Sequence, residues 1–415
     1  MAIACPDCGT LLSFPPLPRR STALCLRCRN PIETTIGRSV DAALACSIAT
    51  LALLPLMDTL PLLRAELLGQ RSQSSLIEGV AQLWGHDWIV LAGLSVVFVI
   101  VLPAVRMALL AMVLGALRLG RRPRWLGPAF RWAVWLDRWA MIDVFLLAVG
   151  VGYYYLTTIE RLDVTIEVGG RFLLAAGLLT MLSRATLDER TIWRAIGGET
   201  TNVPDDRAIG CRTCGLVQST AREGAPCPRC GARIHARKRD AVAITAALVS
   251  ASFILLFPAN ISPMNTSNLL GIHLAYTNFG YVLQLWRLGL WFLAVLTFWT
   301  SILNPALMMA CLGWCVLSVW RRSGRRLVLK TKLLRAVVEA GRWSETGPLS
   351  IVFFVPLIDF GHLGAEAAGG GATAFIVMSL LTMAASVTFD PRLMWDAASR
   401  TGIAGPAPGD DSCAR

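Results

Sequence analysis

The strongest restriction on the fold of this chain comes from apolar runs longer than the interior of a soluble domain can use. Trp88 to Leu117, Met141 to Leu156, Asp240 to Phe257 and Leu288 to Trp320 carry very few charges. A helix needs roughly 20 consecutive apolar residues to cross a bilayer. The whole chain is 55% hydrophobic and 16% charged, whereas soluble domains are about a quarter charged. The first run starts near Val40, behind a cysteine-rich segment, and so does not read as a secretory signal peptide, which would sit at the extreme N-terminus.

The sequence is duplicated. Cys5, Cys8, Cys25 and Cys28 recur as Cys211, Cys214, Cys227 and Cys230. Beyond the cysteines, Pro55 matches Pro258, Trp84 matches Trp286, Pro103 matches Pro305, Trp139 matches Trp343, and Asp188 with Trp193 matches Asp390 with Trp395, all at offsets of 202 to 204 residues. Each half then reads as a cysteine ribbon followed by four transmembrane helices. The expected spans are 40–60, 88–117, 139–158 and 170–186, then 240–258, 288–319, 348–363 and 372–389. The fold class is an all-α polytopic membrane protein with two tandem parallel repeats of four transmembrane helices, each preceded by a small four-cysteine zinc ribbon. The expected divisions are ribbon 1 (1–37), repeat 1 (38–197), ribbon 2 (198–238), repeat 2 (239–398) and a disordered tail (399–415). Pro103 and Pro305 lie inside the two longest runs and can kink them, with neighbouring helices satisfying the freed carbonyls.

Charge sets the orientation. Arg118, Arg121, Arg122, Arg124, Arg131 and Arg138 crowd the connection between the second and third runs. Arg321, Arg322, Arg325, Arg326, Lys330, Lys332, Arg335 and Arg342 crowd the equivalent connection in the second half. The other connections are short and poor in Lys and Arg, so the positive-inside rule places the basic connections, both termini and both ribbons in the cytoplasm. The net charge of +12 is read mainly as this topology signal, with an anionic-lipid or nucleic-acid patch as the lesser reading.

Eight of the twelve cysteines form four C-x-x-C pairs. In a reducing compartment that spacing reads as metal binding rather than as disulfides. Four thiolates in two such knuckles suit tetrahedral Zn(II) with no open coordination position, a structural site whose metal supplies the folding energy of a small ribbon. The same ligands can hold a single iron. Two structural zinc ions are expected, bracing the base of each four-helix half. Cys46, Cys311 and Cys315 lie in apolar runs and read as packing residues.

Ionisable residues inside a membrane are functional candidates. Arg106 lies in the second run and Asp143 at the start of the third. They form either an intramembrane pair, and so a polar relay, or two side chains reaching to the headgroups. Met308 and Gly347 stand at the matching places in the second half. Asn260 and Asn265, near Pro258 and Pro263, either line a polar cavity on the periplasmic side or belong to a solvated loop. No phosphate loop, nucleophile elbow or paired catalytic constellation is present, so catalysis is not expected.

The paired ribbons, the turn PANISPM, the LW and RW marks, the W-x-x-x-D-V-F stretch ending at Phe145 and FDPRLMWD resemble, as a set, the paraquat-inducible protein A family of Gram-negative inner-membrane proteins. The resemblance runs from Cys5 to about Trp395. It implies an inner-membrane subunit that loads or receives phospholipid for a periplasmic MCE-domain partner, which forms a tunnel towards the outer membrane. The second-half stretch GRWSETGPLS departs from the W-x-x-x-D-V-F pattern, which leaves any relay to Arg106 and Asp143. Two other classes stay open: a scaffold or envelope-stress regulator whose ribbons dock a cytosolic protein, and an iron-containing redox protein.

Overall fold

The structure is a computed structural model that describes all residues except 1, 14–20, 35–38, 68, 86–87, 159–161, 198–208, 219–222, 236, 239, 270–271, 348, 351–356, 358–363 and 400–415. From the N-terminus, the hairpins β1 (Ala2–Ala4)–β2 (Leu11–Ser13) and β3 (Thr22–Leu24)–β4 (Pro31–Thr34) carry the first cysteine set. Then come α1 (Val40–Thr59), β5 (Leu63–Leu67), β6 (Gln70–Ser74), α2 (Leu76–Gly85) and the 30-residue α3 (Ile89–Arg118). Helices α4 (Leu126–Leu136) and α5 (Ile142–Leu156), strand β7 (Leu162–Ile166), α6 (Val168–Thr186) and α7 (Glu189–Ile196) complete the first repeat. The second cysteine set sits around β8 (Ile209–Gly210) and β9 (Val217–Gln218). The order then recurs as α8 (Ala241–Ile261), β10 (Asn265–Leu269), β11 (Ile272–Tyr276), α9 (Asn278–Arg287), α10 (Trp291–Trp320) and α11 (Leu327–Gly341). A 3₁₀ turn (Arg342–Glu345), β12 (Gly364–Ala368), α12 (Gly370–Thr388) and α13 (Arg392–Ser399) follow.

Six of these helices, α1, α3, α6, α8, α10 and α12, are long and apolar enough to cross a membrane. The polypeptide is therefore a multi-pass membrane protein. Helix α5 occupies the place of the third expected span but is shorter, at 15 residues. Its expected counterpart over 348–363 lies almost wholly outside the described residues. Several hydroxyls inside the spans are satisfied by their own helix: Thr50 Oγ1 donates to the Cys46 carbonyl at 2.8 Å and Thr180 Oγ1 to that of Ala176 at 2.8 Å, whereas those of Ser183 and Thr245 are buried without a partner among the described residues.

The prolines in the two long helices leave the same mark. A π-helical segment, Val96–Val101 in α3 and Trp299–Leu303 in α10, ends just before Pro103 and Pro305. Proline has no N–H to donate and its ring crowds the carbonyl four residues back. The ladder slips to i→i+5 spacing there, a single π-bulge rather than a broken helix.

At the end opposite the ribbons, connections that read only as short loops in the sequence build two sheets. In the first repeat the antiparallel order is β6-β5-β7, with Leu63 opposite both Ser74 and Ile166. In the second it is β11-β10-β12, with Asn265 opposite Tyr276 and Ala368. The third strand of each sheet arrives from a distant connection, so no local hairpin pattern announces it. Each sheet is tied to the start of a span by a glycine. Gly169 N–H donates to the Pro61 carbonyl at 3.0 Å, and Gly371 N–H, its repeat equivalent, to the Pro263 carbonyl at 2.9 Å. A Cβ at either glycine would overlap the carbonyl oxygens of Leu60 and Pro61, or of Ser262 and Pro263. The close approach lets turn carbonyls satisfy helix N-terminal amides that have no intrahelical partner.

The repeats share one buried core. Leu54, Met57, Phe145 and Leu173 of the first belong to the same cluster as Ala259, Met309, Phe375 and Met378 of the second. Tyr155 of α5 meets Tyr281 of α9 edge to face at 6.1 Å between centroids.

The apolar faces of the ribbons cover the opposite half rather than the half that they precede. Cys5, Cys8, Cys25 and Cys28 pack with Leu312, Leu327, Met394 and Trp395, all from the second repeat. Cys211, Cys214, Cys227 and Cys230 pack with Met107, Leu126, Phe130 and Trp193 of the first. Some polar contacts follow the same crossing, while Arg212 of ribbon 2 reaches Asp390 and the Phe389 carbonyl of the repeat that it precedes. Arg335 of α11 holds Asp7 at 3.2 Å and the Asn30 side chain at 2.8 Å, and Arg27 lies 5.1 Å over the Trp395 ring. Gly127 of α4 lies so close to the Arg229 carbonyl of ribbon 2 that no Cβ fits. The ribbons also touch each other, Ala4 lying against Gly210. Ion pairs Arg194–Glu33 and Arg237–Asp396 run the other way, linking ribbon 1, and the chain leaving ribbon 2, to the repeat that each precedes.

Candidate functional site

Each cysteine set is a preformed four-sulfur cage. The Sγ atoms of Cys5 and Cys28 are 3.5 Å apart and those of Cys8 and Cys25 3.6 Å. In the second set Cys211 and Cys230 are 3.6 Å apart, as are Cys214 and Cys227. Within each set all four Sγ atoms lie within 4.8 Å of one another and all are buried. A tetrahedron of metal–sulfur bonds near 2.3 Å has edges of about 3.8 Å, so both cages fit a four-thiolate metal ion. Hydrogen bonds divide the thiols of each set: those with Cys28, Cys5 and Cys8 hold the Cys25 thiol far below its ordinary range while those with Cys25, Cys5 and Cys8 push Cys28 up, and Cys227 is lowered and Cys214 raised in the same way.

The cage geometry is set by the backbone turn behind each knuckle. The amide of Gly9 bonds to the Cys5 carbonyl, and Gly215 and Gly231 repeat that bond with Cys211 and Cys227. Those three glycines have φ of 76°, 73° and 67°. The fourth knuckle has Arg29 at the equivalent place with φ 57°. A left-handed conformation costs a residue with a Cβ roughly 1–2 kcal/mol, part of which glycine gives back through its freer unfolded chain. Arg29→Gly is therefore expected to stabilise ribbon 1 by about 0.5–1 kcal/mol. In a chelator competition the variant should release metal from that ribbon more slowly than the wild type; faster release would contradict this account.

Inside the bundle the charged side chains form a chain across both repeats rather than a single pair. Arg106 does not meet Asp143. Its Nη2 lies 2.7 Å from Asp137 Oδ1, at the end of α4. Arg184, in the last turn of α6, bridges the carboxylates, with Nε 2.7 Å from Asp137 and Nη1 2.5 Å from Asp143. Arg342 of the second repeat closes the chain, its Nη2 3.0 Å from Asp143 Oδ1 and 3.1 Å from the Ala140 carbonyl. Arg106 and Asp143 are 1% and 2% exposed, which leaves neither of them reaching to headgroups. Asp137, Arg184 and Arg342 were not singled out from the sequence. Arg184 and Arg342 lie at the ends of apolar runs, where a cation ordinarily signals only the membrane boundary.

The second repeat has no charge at any position equivalent to Arg106, Asp137, Asp143 or Arg184: Met308, Gly341, Gly347 and Ser386 stand there. Gly341 leaves room for the Met308 thioether, so packing replaces the Arg106–Asp137 pair. Neutral polar groups are buried beside it, and Asn304 Nδ2 donates to the Ala340 carbonyl at 2.8 Å and to Ser344 Oγ at 2.9 Å. Glu345 is also buried, and its Oε1 has no hydrogen-bond partner among the described residues.

At the sheet end, Asn260 is half-buried near the end of α8. Its Nδ2 donates to the Leu256 carbonyl at 2.9 Å while its Oδ1 is buried without a partner among the described residues. Asn265 opens β10 through its backbone; its side chain lies outside the described residues. Cys46, Cys311 and Cys315 are all buried within spans.

The sequence family described as Paraquat-inducible protein A matches residues 40–197 and 242–399, one match for each repeat. Among curated proteins, the chain is 28% identical to the Escherichia coli (strain K12) "Intermembrane transport protein PqiA", over 95% of both chains. It is 27% identical to the "Lipophilic envelope-spanning tunnel protein A" of the same organism, over 95% of this chain and 91% of that protein. A "Probable intermembrane transport protein" of Haemophilus influenzae is 25% identical over 95% of each. No solved structure matches the chain. With both repeats matched, and with a cysteine cage at the base of each, the chain belongs to the paraquat-inducible protein A family.

Proposed function

We propose that this protein is the inner-membrane subunit of an MCE-type lipid transport system, which loads phospholipid into, or receives it from, a periplasmic MCE-domain partner that connects to the outer membrane. The observation that carries the reading is end-to-end likeness to proteins named for intermembrane transport and for an envelope-spanning tunnel. The architecture supports it. The elements opposite the ribbons are three-stranded sheets with strands of five residues, about 17 Å long, so crossing a periplasm would fall to a partner. The basic connections adjoin the ribbons, which supports ribbons and termini on the cytoplasmic side. The role is transport rather than catalysis. Arg106 and Asp143 act in a polar relay, and Asn260 lines a polar cavity at the periplasmic end.

Each cage holds a structural Zn(II), by Cys5, Cys8, Cys25 and Cys28 or by Cys211, Cys214, Cys227 and Cys230. A closed thiolate set supplies folding energy and no open position for chemistry. Elemental analysis of purified protein should find two zinc ions per chain, and iron with a visible absorption band would replace this with the redox reading. The transport reading is tested by affinity purification from native membranes and by lipid exchange between the two membranes in a deletion strain. Co-purification of an MCE-domain chain together with phospholipid, and loss of exchange on deletion, are expected. Unchanged exchange, with a cytosolic protein captured through the ribbons, would favour the scaffold reading instead.

A further inference from the structure

The outer face of α3 carries a feature that the transport reading does not use. Over its last turns and the connection behind it lies an open groove of about 730 Å³. Its apolar lining includes Met112, Gly115, Leu119 and Trp125, and its mouth includes Arg121 and Arg122. Met112, Leu119 and Trp125 are 51%, 72% and 46% exposed, and beyond the helix's own backbone no atom of the described residues lies within 4 Å of where a Cβ on Gly115 would stand, so the floor is open to lipid. From Met112 to Leu119 the helix rises roughly 10 Å, most of the hydrocarbon depth of one leaflet.

The two guanidiniums at the mouth are available. Arg118, one turn back, is neutralised by Asp41. Arg121 and Arg122 make no ion pair among the described residues. The second repeat does not preserve the feature. Trp314 and Leu317 stand at the positions of Met112 and Gly115, and the Trp314 ring lies under Lys330 Nζ at 5.4 Å. An apolar floor continuous with the lipid-facing side of a span, ending in two unpaired cations and a tryptophan at headgroup depth, is complementary to one kind of molecule.

We propose that this groove holds one anionic phospholipid from the leaflet on the ribbon side, with an acyl chain along the floor and the phosphate between Arg121 and Arg122. The site stands apart from the transport reading, because it faces outward on one repeat and needs no partner protein. Native mass spectrometry of the purified full-length protein, titrated with phosphatidylglycerol or phosphatidylcholine, tests it. Wild type should retain phosphatidylglycerol preferentially. Arg121→Ala combined with Arg122→Ala should weaken that binding about 30-fold, the effect expected for two juxtamembrane charges. Gly115→Leu, which fills the floor and keeps the charge, should weaken retention of the lipid while the protein stays folded. The charge-matched pair Arg321→Ala and Arg322→Ala in the second repeat should change little. Absence of a preference in the wild type, equal loss in the second-repeat pair, no loss in Gly115→Leu, or displacement by glycerol phosphate as effectively as by intact lipid would each overturn the proposal.

Discussion

Asp143→Asn is expected to destabilise the folded protein by about 3–5 kcal/mol, the scale found when one partner of a buried ion pair is removed. Asp143 is 2% exposed and accepts from Arg184 and Arg342, side chains of different repeats. Without its charge, Arg184 keeps Asp137, but Arg342 is left buried with only the Ala140 carbonyl among the described residues. Most of the penalty should therefore come from Arg342. Adding Arg342→Met should recover a large part of it, as Met308 does where the second repeat dispenses with charge. A double-mutant cycle read by thermal unfolding in detergent measures this. Independent, additive losses would show that Asp143 and Arg342 are not coupled and would remove the link between the repeats. The same pair of variants separates structure from transport. A stable Asp143→Asn/Arg342→Met protein that still fails to move lipid assigns the carboxylate to the relay, whereas one that moves lipid normally excludes it.

The second large effect concerns the ribbons. Cys211→Ser with Cys230→Ser is expected to loosen α4 and α7 of the first repeat, and Cys5→Ser with Cys28→Ser to loosen α11 and α13 of the second. Metal binding to small thiolate sites is worth about 10–16 kcal/mol in isolated peptides, enough to unfold a ribbon once two ligands are gone. The helices that lose cover are those that the ribbon packs on: Phe130 and Trp193 for ribbon 2, Leu327 and Trp395 for ribbon 1. Hydrogen exchange resolved by segment would show the pattern as increased exchange in the named helices, with the other pair protected. Loosening of the repeat that follows each mutated ribbon in the chain would contradict the crossed packing. Loss of protection in both repeats from either variant would mean that the contact of Ala4 with Gly210 couples the ribbons more tightly than either is coupled to its repeat.

Several parts of this molecule were legible in the sequence because they depend on local spacing. The apolar runs locate α1, α3, α6, α8, α10 and α12 to within a few residues, since span length is fixed by bilayer thickness. The four C-x-x-C pairs assemble into two cages, because a two-residue spacing already places a pair of thiols on one turn. The repeat offset identified which positions correspond, and the family match follows the same two blocks. The sheets were not legible: LDVTI is a five-residue strand whose partner, LRAEL, lies in another connection. Strand pairing over about a hundred residues leaves no period in either segment that could reveal it.

The membrane charges show the boundary most clearly. The sequence by itself placed Arg106 and Asp143 within apolar runs of the first repeat, at positions without charged counterparts in the second. It could not determine their partners. Asp137, Arg184 and Arg342 come from an amphipathic helix, a span end and the other repeat, and only helix packing brings them within 3.0 Å of the carboxylates or guanidiniums they meet. The ribbons divide in the same way. Cysteine spacing fixed the cages, because ligand geometry is local, while the choice of repeat that each ribbon covers was decided by apolar surfaces that meet only after both repeats have folded side by side.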